Sequence, residues 1–134
     1  MAKQVLINLP VKDIERSKDF FTKLGFSANS ELSDESAACF NINEGVVIAL
    51  LSESHFKNIT NNEVADSTKA SEVLLAIDTR SKEEVNSLVD NAITAGGTEL
   101  HEPKDFGWIY GRSFADLDGH QWNIFYKNVN EIPK

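Results

Sequence analysis

The sequence contains the same order of elements twice, and this repeat limits the possible folds more than any other feature. In the first half, an apolar segment at 4–9 precedes a helical pattern over 14–24, and three strand-like segments follow. In the second half, the apolar segment 73–77 precedes a helical pattern over 82–95, and three strand-like segments follow again. The residues of the two halves differ, so the repeat rests on element order and glycine placement. It predicts an α+β fold of two βαβββ modules.

Short sequence signals mark the ends of both helices. Asp13 is a favoured N-cap residue, and Ser81 with Glu84 has the spacing of a capping box. Gly25 follows the first helical pattern, where a left-handed C-cap conformation favours glycine, and Gly96-Gly97 ends the second. The other strand-like segments lie at 26–32, 37–43, 46–51, 98–101, 109–115 and 121–126.

The two halves are separated by a polar segment with little periodicity. A chain of 134 residues has the length of one domain. We therefore predict a single domain over residues 1–134, with module 1 at about 3–52, a linker at about 53–71 and module 2 at about 72–127. The linker holds a short helical segment near 55–59, and a lid over a pocket is the alternative interpretation of the linker.

The charge balance argues against nucleic acid and anionic membranes as partners. The chain has 21 acidic and 13 basic residues, a formal net charge of −8, and no cluster of lysine and arginine. No segment approaches the roughly 18 consecutive apolar residues of a membrane-spanning helix, and the N-terminal segment has no signal-peptide core. The single cysteine, Cys39, cannot form an internal disulfide, which fits a reducing compartment. We expect a soluble, cytoplasmic protein.

Motifs near both ends of the chain resemble those of a known family. The first is L-P-V-K-D-I-E-R-S at 9–17, followed by F-F and L-G-F. The second is D-L-D-G-H at 116–120, which is similar to the D-P-D-G-H hairpin of that family, and E-V-L-L-A at 72–76 matches the start of its second module. In order and spacing, residues 3–127 resemble the vicinal-oxygen-chelate (glyoxalase/bleomycin resistance/dioxygenase) superfamily. Within it they look most like the bacterial subgroup of predicted lactoylglutathione lyases.

The resemblance implies a fold and a metal site. In this family, two βαβββ modules form an eight-stranded, open, barrel-like sheet around a cavity. Metal-dependent members hold a divalent ion such as Zn, Ni, Mn or Fe with four inward-facing residues. Those positions correspond here to Leu6, Ala49, Glu72 and Asn123. Leu6 and Ala49 have no donor atom, and one carboxylate with one neutral amide does not make a tight site. We therefore expect no tightly bound metal and no other cofactor.

Strand alternation, combined with the inward parity of the family, predicts the residues around the cavity. Glu72 is the candidate catalytic base, and a solvated residue at a strand edge is the alternative interpretation. The candidate ligand-binding residues on the cavity face are Asn8, Gln121, Asn123 and Phe125. The same face is expected to carry Leu6, Val47, Ala49 and Leu74. Trp108, as part of an aromatic cluster, and Arg112, as a partner for an anionic ligand, are further candidates because of their chemistry. The alternatives are a structural hydrogen bond for Asn123, core packing for Trp108 and a surface ion pair for Arg112.

The histidines and the cysteine are weaker candidates. His120 follows a two-residue hairpin turn and is predicted to lie at the surface. His101 lies at a predicted strand end, exposed or at a pocket rim, and His55 belongs to the linker. Cys39 stands between Ala38 and Phe40, so we predict a small core residue rather than a nucleophile.

Three functions are compatible with the sequence. A glyoxalase-like lyase would use Glu72 as its base, with Asn123 or a metal polarising a carbonyl group. A binding protein of the bleomycin-resistance type would sequester a drug or metabolite without chemistry, and the missing metal ligands favour this mechanism. A dimeric scaffold with a vestigial cavity is the third interpretation. The resemblance also implies a homodimer that binds a small-molecule ligand.

Overall fold

The computed structural model describes residues 2–133 and divides the chain into two compact units, Met1–Ala65 and Asp66–Lys134. Each unit has the predicted order of a strand, a helix and further strands. The described strands pair in two open sheets, of four strands in the first unit and five in the second. The predicted α+β class with two βαβββ modules is therefore confirmed.

The first unit contains the four-stranded sheet. Its strands are β1 (Val5–Val11), β2 (Ser27–Ala28), β3 (Ala37–Asn43) and β4 (Val46–Ser52). They lie in the order β1-β4-β3-β2, with β1 parallel to β4 and the other neighbours antiparallel. The predicted strand at 26–32 is shorter than expected. Asn29 accepts a hydrogen bond from the backbone N–H of Leu32 at 3.2 Å and caps a 3₁₀ turn there.

Helix α1 (Ile14–Leu24) has the predicted bounds and covers one face of this sheet. Its N-cap is Asp13, whose Oδ1 accepts a backbone N–H of the first turn at 3.1 Å. The chain leaves the helix through Gly25 at φ 99°, in the left-handed region that favours glycine. Phe21 is buried beneath the helix, with its ring centroid 6.0 Å from that of Phe40 on β3. This aromatic packing fixes the helix on the sheet.

The opposite face of the first sheet carries a small apolar cluster. It is formed by Ala37, Cys39, Val47, Ala49 and Leu51, with Phe56 packed against it. Phe56 belongs to helix α2 (Glu53–Thr60), which contains the short helix expected near 55–59. Cys39 is buried, as predicted for a core residue, and burial raises the pKa of its thiol. A buried thiol of this kind is a poor nucleophile.

The second unit contains the five-stranded sheet. Its elements are β5 (Leu74–Asp78), α3 (Lys82–Thr94), β6 (Thr98–Glu99), β7 (Lys104–Asp105), β8 (Ile109–Ala115) and β9 (Gln121–Lys127). The strand order is β5-β9-β8-β6, and β7 also pairs with β8. Strand β5 is parallel to β9, whereas β8 is antiparallel to all of its partners. The short strand β7 has no counterpart in the sequence prediction.

Helix α3 lies within one residue of the predicted bounds and covers one face of the second sheet. Val85 and Val89 are fully buried on the helix, as are Trp122 and Ile124 on β9. Alternation along β9 therefore turns Gln121, Asn123 and Phe125 to the opposite face, as predicted. No helix within residues 2–133 is long and apolar enough to cross a membrane.

The D-L-D-G-H motif forms the turn between β8 and β9, organised by the carboxylate of Asp116. Its Oδ1 accepts the backbone N–H groups of Asp118 and His120, both at 3.0 Å, and its Oδ2 accepts Nε1–H of Trp122 at 3.0 Å. The prediction that His120 lies at the surface is wrong, because it is 5% exposed. The chain turns back into the sheet at Gly119, whose φ is 88°. The motif is thus structural in this chain.

Candidate ligand-binding site

A pocket of about 310 Å³ lies on the face of the second sheet that α3 does not cover. All of its walls belong to the second unit. They are formed by Leu74, His101, Lys104, Phe106, Ile109, Gly111, Ser113, Gln121, Asn123 and Phe125. Three of the predicted ligand-binding residues, Gln121, Asn123 and Phe125, therefore lie together in one pocket. Leu74, expected on the same face, lies there too.

The polar end of the pocket is formed by side chains of β8 and β9. Oγ of Ser113 donates to Oδ1 of Asn123 at 3.4 Å, which fixes the orientation of the amide. Within residues 2–133, the amide nitrogens of Asn123 and Gln121 donate to no acceptor of the protein. Both side chains are half-buried, so their N–H groups face the pocket or its solvent. They are available to a ligand that carries hydrogen-bond acceptors.

The floor of the pocket is a row of three residues that cross the sheet. Lys104 on β7 is the register partner of Gly111 on β8, and Gly111 is the partner of Phe125 on β9. Gly111 has no side chain, so the row presents an ammonium group, an open position and an aromatic ring in that order. Neither Lys104 nor Gly111 was among the predicted site residues. The two-residue strand that carries Lys104 is too short to produce a periodicity signal.

The segment between β6 and β8, which contains the short strand β7, forms one rim of the pocket. Oδ1 of Asp105 accepts the backbone N–H of Gly107 at 2.9 Å, and Lys82 donates to Oδ2 at 3.3 Å. The Gly107 N–H, followed by Lys82, lowers the pKa of Asp105 below its ordinary range. These contacts hold the loop that presents Phe106, which is 67% exposed. His101 stands at the rim, with Nδ1 3.2 Å from the backbone carbonyl oxygen of Glu102.

The pocket has a charge opposite to that of the whole protein. The chain carries a formal net charge of −8, yet none of the described residues that line the pocket is aspartate or glutamate. The titratable groups in its wall are Lys104 and His101. Strand alternation explains part of this contrast, since Asp105, next to Lys104, is the register partner of Tyr110 and faces the other side.

Arg112 lies on the face of β8 that α3 covers, away from the pocket. Its side chain is 10% exposed, and its guanidinium donates to both carboxylate oxygens of Glu99 at 3.0 and 3.2 Å and to Asp90 at 2.9 Å. The hydrogen bonds to Glu99, more than those to Asp90, raise the pKa of Arg112. Arg112 was expected to line the pocket, but the structure does not place it there. Even-numbered residues of β8 face helix α3 instead. Trp108, two residues before Tyr110, is half-buried and also outside the pocket wall.

Two other candidates also lie outside this pocket. Glu72, the candidate base, is exposed and precedes β5, which begins only at Leu74. Asn8 belongs to β1 of the first unit, is exposed, and donates from Nδ2 to the backbone carbonyl of Leu6 at 3.2 Å. Neither residue joins Asn123 in the pocket wall.

The donor atoms of this chain do not fit the metal site of the family. Ala49 is 2% exposed within the apolar cluster of the first sheet, and Leu6 is a hydrocarbon on β1. In residues 2–133 there is no group of three or more His, Cys, Asp or Glu side chains with the proximity that a metal ion requires. A tight divalent site needs three or four N, O or S donors. No step of the chemistry is therefore assigned to a metal.

Comparison with known proteins gives a consistent set of relatives. The family described as "Bleomycin resistance protein-like N-terminal" matches residues 3–43. A hypothetical protein from S. aureus is 31% identical, with 94% of each chain covered and a TM-score of 0.81. A glyoxalase-related enzyme from Fulvimarina pelagi is 24% identical, with 95% of this chain and 90% of the other covered and a TM-score of 0.79.

A third similar structure is a glyoxalase/bleomycin resistance protein/dioxygenase family enzyme from Burkholderia phytofirmans PsJN. It is 20% identical, with 91% of this chain and 96% of the other covered and a TM-score of 0.77. Among curated proteins, no sequence matches the chain. These structures span nearly the same length as this chain, so the shared fold extends over almost all of its 134 residues.

Proposed function

Because the chain belongs to the vicinal-oxygen-chelate superfamily of glyoxalases, bleomycin resistance proteins and dioxygenases, we propose that it is a small-molecule-binding protein of the bleomycin-resistance type. It holds its ligand in the pocket of the second unit and does so without metal chemistry.

The pocket itself is the observation that supports binding. Small-molecule sites are concave and mostly apolar, with a few polar groups that point inward. Here Phe125 and Ile109 supply apolar wall, and the amide groups of Asn123 and Gln121 supply donors with no protein acceptor in residues 2–133. The volume of about 310 Å³ lies at the lower end of the range for such sites.

The chemistry of the wall favours binding over catalysis. A general base must lie within hydrogen-bond reach of the proton that it removes. The carboxylate of Glu72 is not in the wall, and none of the described residues that line the pocket is acidic. Two of the superfamily's metal-ligand positions are occupied here by Leu6 and the buried Ala49, which have no donor atom. Recognition without turnover is the function that these groups support best.

The direct test is a ligand screen read out at the pocket amides. The ¹⁵N-labelled protein is titrated with a chemically diverse fragment set, and the side-chain amide signals of Asn123 and Gln121 are followed by NMR. We expect some fragments to shift both signals, and Asn123→Leu to weaken their binding. Asn91→Leu is the matched control, because Asn91 is exposed on α3, on the other side of the sheet. If no fragment shifts either signal, the pocket does not bind small molecules.

A lyase of the glyoxalase type is tested separately. The purified protein is assayed for isomerisation of a hemithioacetal, with Zn, Ni, Mn or Fe added in turn. We expect no conversion above that of the metal alone, since Glu72 lies outside the wall and two of the family's metal-ligand positions, Leu6 and Ala49, have no donor atom. Metal-dependent turnover that Glu72→Gln abolishes would instead establish the enzyme and assign Glu72 as its base.

The homodimer and the cytoplasmic location are also proposed, and both rest on the family resemblance and the composition. Light scattering at micromolar concentration measures the mass of the assembly. A mass of one chain, 14.9 kDa, would contradict the dimer.

A further inference from the structure

Gly111 has no backbone reason to be glycine. Among the described glycines, Gly111 is not one of those with a positive φ. A Cβ atom at this position would lie 3.4 Å from Oδ1 of Asn123 and 3.6 Å from Cβ of Phe125. These are ordinary van der Waals distances, so alanine would fit without strain. Glycine inside a strand weakens it and often marks the close approach of a ligand. The open position above Gly111 is therefore the natural seat of a bound group.

The two residues that flank Gly111 in the row define what fits there. Neighbouring strands are about 4.8 Å apart, so the backbones of Lys104 and Phe125 are separated by about 10 Å across Gly111. Stacked aromatic rings have centroids about 4.5–7 Å apart, which leaves room for one ring beside Phe125. The space thus suits a flat group with its edge towards the ammonium of Lys104.

Lys104 is available to an anion in a way that the neighbouring Lys82 is not. Lys82 donates to Asp105 at 3.3 Å and lies 5.7 Å from the ring centroid of Tyr110. Within residues 2–133, by contrast, Lys104 forms no ion pair. It is the cation of a pocket whose described wall has no carboxylate. An incoming carboxylate would therefore meet no like charge in the wall.

The two ends of the pocket complete the pattern. Along the strands, Gly111 lies between Ile109 at the apolar end and Ser113 at the polar end. Asn123, the register partner of Ser113, offers amide N–H donors on that side. A carboxylate accepts hydrogen bonds from both an ammonium and an amide. The apolar end and Phe125 accommodate the remainder of the ligand.

We infer that the pocket is selective for a planar aromatic molecule that carries one carboxylate, with its ring above Gly111 and its carboxylate between Lys104 and Asn123. The inference rests on the proposed binding function and adds the ligand class. It depends on the placement of one cation, one open position and one aromatic ring in a single row of the sheet.

Three probes of one shape and different charge test the ligand class. Naphthoate, naphthamide and naphthylmethylammonium are titrated into the full-length protein at low ionic strength, and Kd is measured from the Asn123 amide shift. We expect naphthoate to bind most tightly. In Lys104→Gln its affinity falls by about fivefold, the upper range for an exposed ion pair, while that of naphthamide is unchanged. Added salt reduces the preference for naphthoate, since exposed charges are screened.

Two control variants are needed. One distinguishes the effect of the charge on Lys104 from that of the net charge of the protein, and the other distinguishes blockage of the space above Gly111 from a general loss of folding. Lys18→Gln changes the net charge equally from an exposed position on α1, and naphthoate affinity should not change. Gly111→Val closes the seat with a residue that strands favour, so it should abolish binding of all three probes while circular dichroism stays native. If Gly111→Val does not fold, Gly111→Ala provides the smaller blockage. Gly45→Ala, in the turn before β4, is the control glycine.

The outcomes distinguish the ligand class from the proposed function. If the amide or the ammonium probe binds as tightly as naphthoate, and Gly111→Val abolishes binding, the pocket function stands and the anion selectivity is wrong. The selectivity is also wrong if Lys18→Gln weakens naphthoate as much as Lys104→Gln. If none of the three probes shifts Asn123 while other fragments do, the ligand class fails alone. If no compound of any kind shifts it, the binding function fails as well.

Discussion

At the scale of single residues, Asp116 stabilises the turn between β8 and β9 through its hydrogen bonds, although burial disfavours its ionised form. Burial raises the pKa of Asp116 above its ordinary value of 3.8, and the favourable contacts from His120, Trp122 and two backbone N–H groups offset only part of that rise. Its Oδ2 is the acceptor for the buried indole N–H of Trp122. The side chain of Asp116 therefore organises the hydrogen bonds of the turn, while its ionised form is less favourable in the folded protein than in water.

A prediction for pH dependence follows from that direction. A carboxyl group whose folded pKa is raised binds protons more tightly in the folded state, so stability falls as pH rises from about 3.8 to the raised value. Asp116→Asn removes this titration and replaces one of the two acceptor oxygens with an NH2 group, so either the indole N–H of Trp122 or the backbone N–H groups of the turn lose their acceptor, which costs about 1–3 kcal/mol. We expect the stability advantage of the wild type over Asp116→Asn to be greatest at low pH and to shrink through this window. Urea denaturation at a series of pH values from about 3 to about 7 measures it.

The other perturbed carboxyl groups do not obscure this comparison. Backbone and side-chain hydrogen bonds from Ser36 lower the pKa of Asp34, and Gly107 and Lys82 lower that of Asp105. Both groups are present in wild type and variant alike, so their contributions cancel in the difference. A difference that grows as pH rises would mean that the ionised form of Asp116 is the stabilising one, which is incompatible with a raised pKa in the folded state.

At the scale of elements, α3 and β8 are joined by the network around Arg112. The guanidinium connects Asn86 and Asp90 on the helix to Glu99 on β6, and Tyr110 donates to Asn86 at 2.7 Å. Because Arg112 is mostly buried while both carboxylates can still reach water, the network positions the helix more than it adds stability.

Replacement of Arg112 should separate stability from binding. Arg112→Met removes the bidentate contacts, and we expect a loss of about 1–2 kcal/mol in the free energy of unfolding, since the partner carboxylates rehydrate. Arg112→Lys should recover only part of it, because lysine cannot form the two-pronged contact. Naphthoate affinity should be unchanged in both variants. Loss of binding in a folded Arg112→Met protein would return Arg112 to the ligand site, where the sequence alone had placed it.

Long elements were predictable from the sequence, and short ones were not. The helices α1 and α3 carry caps and apolar periodicity over three turns, so their bounds were predicted to within one residue. Strand β7 has two residues and depends on its pairing with β8, which no local pattern reveals. For the same reason, Lys104 was missed as a pocket residue. The second strand of the first module was overestimated because the capping side chain of Asn29 competes with the strand.

Within the site, parity was more informative than residue type. Alternation along β9 correctly placed Gln121, Asn123 and Phe125 on one face. The chemistry of Arg112 suggests an anion-binding role, but its even-numbered position on β8 turns it towards the helix. An ungapped correspondence with the family puts Glu72 at the start of a strand, yet β5 begins two residues later. Chemical type suggests what a residue can do, and strand register decides where it can do it.

At the scale of the whole molecule, the family signature and the pocket lie in different units. The matched family region, residues 3–43, belongs to the first unit, whereas every wall residue of the pocket belongs to the second. The match to this family region therefore says little about the ligand. The residues that would define specificity lie in the part of the chain that this family region does not cover.

The division into units makes a prediction about where a ligand acts. A ligand at a concentration of a hundred times its Kd stabilises the binding-competent state by about 2.7 kcal/mol. Amide exchange that requires the site to open is then slowed by about a hundredfold. Since the wall comes from the second unit alone, naphthoate should slow exchange in β8 and β9 and leave β3 and β4 unchanged. Hydrogen exchange measured with and without naphthoate tests this, and Gly111→Val should remove the effect. Equal slowing in β3, β4, β8 and β9 would mean instead that the two units open as one cooperative structure.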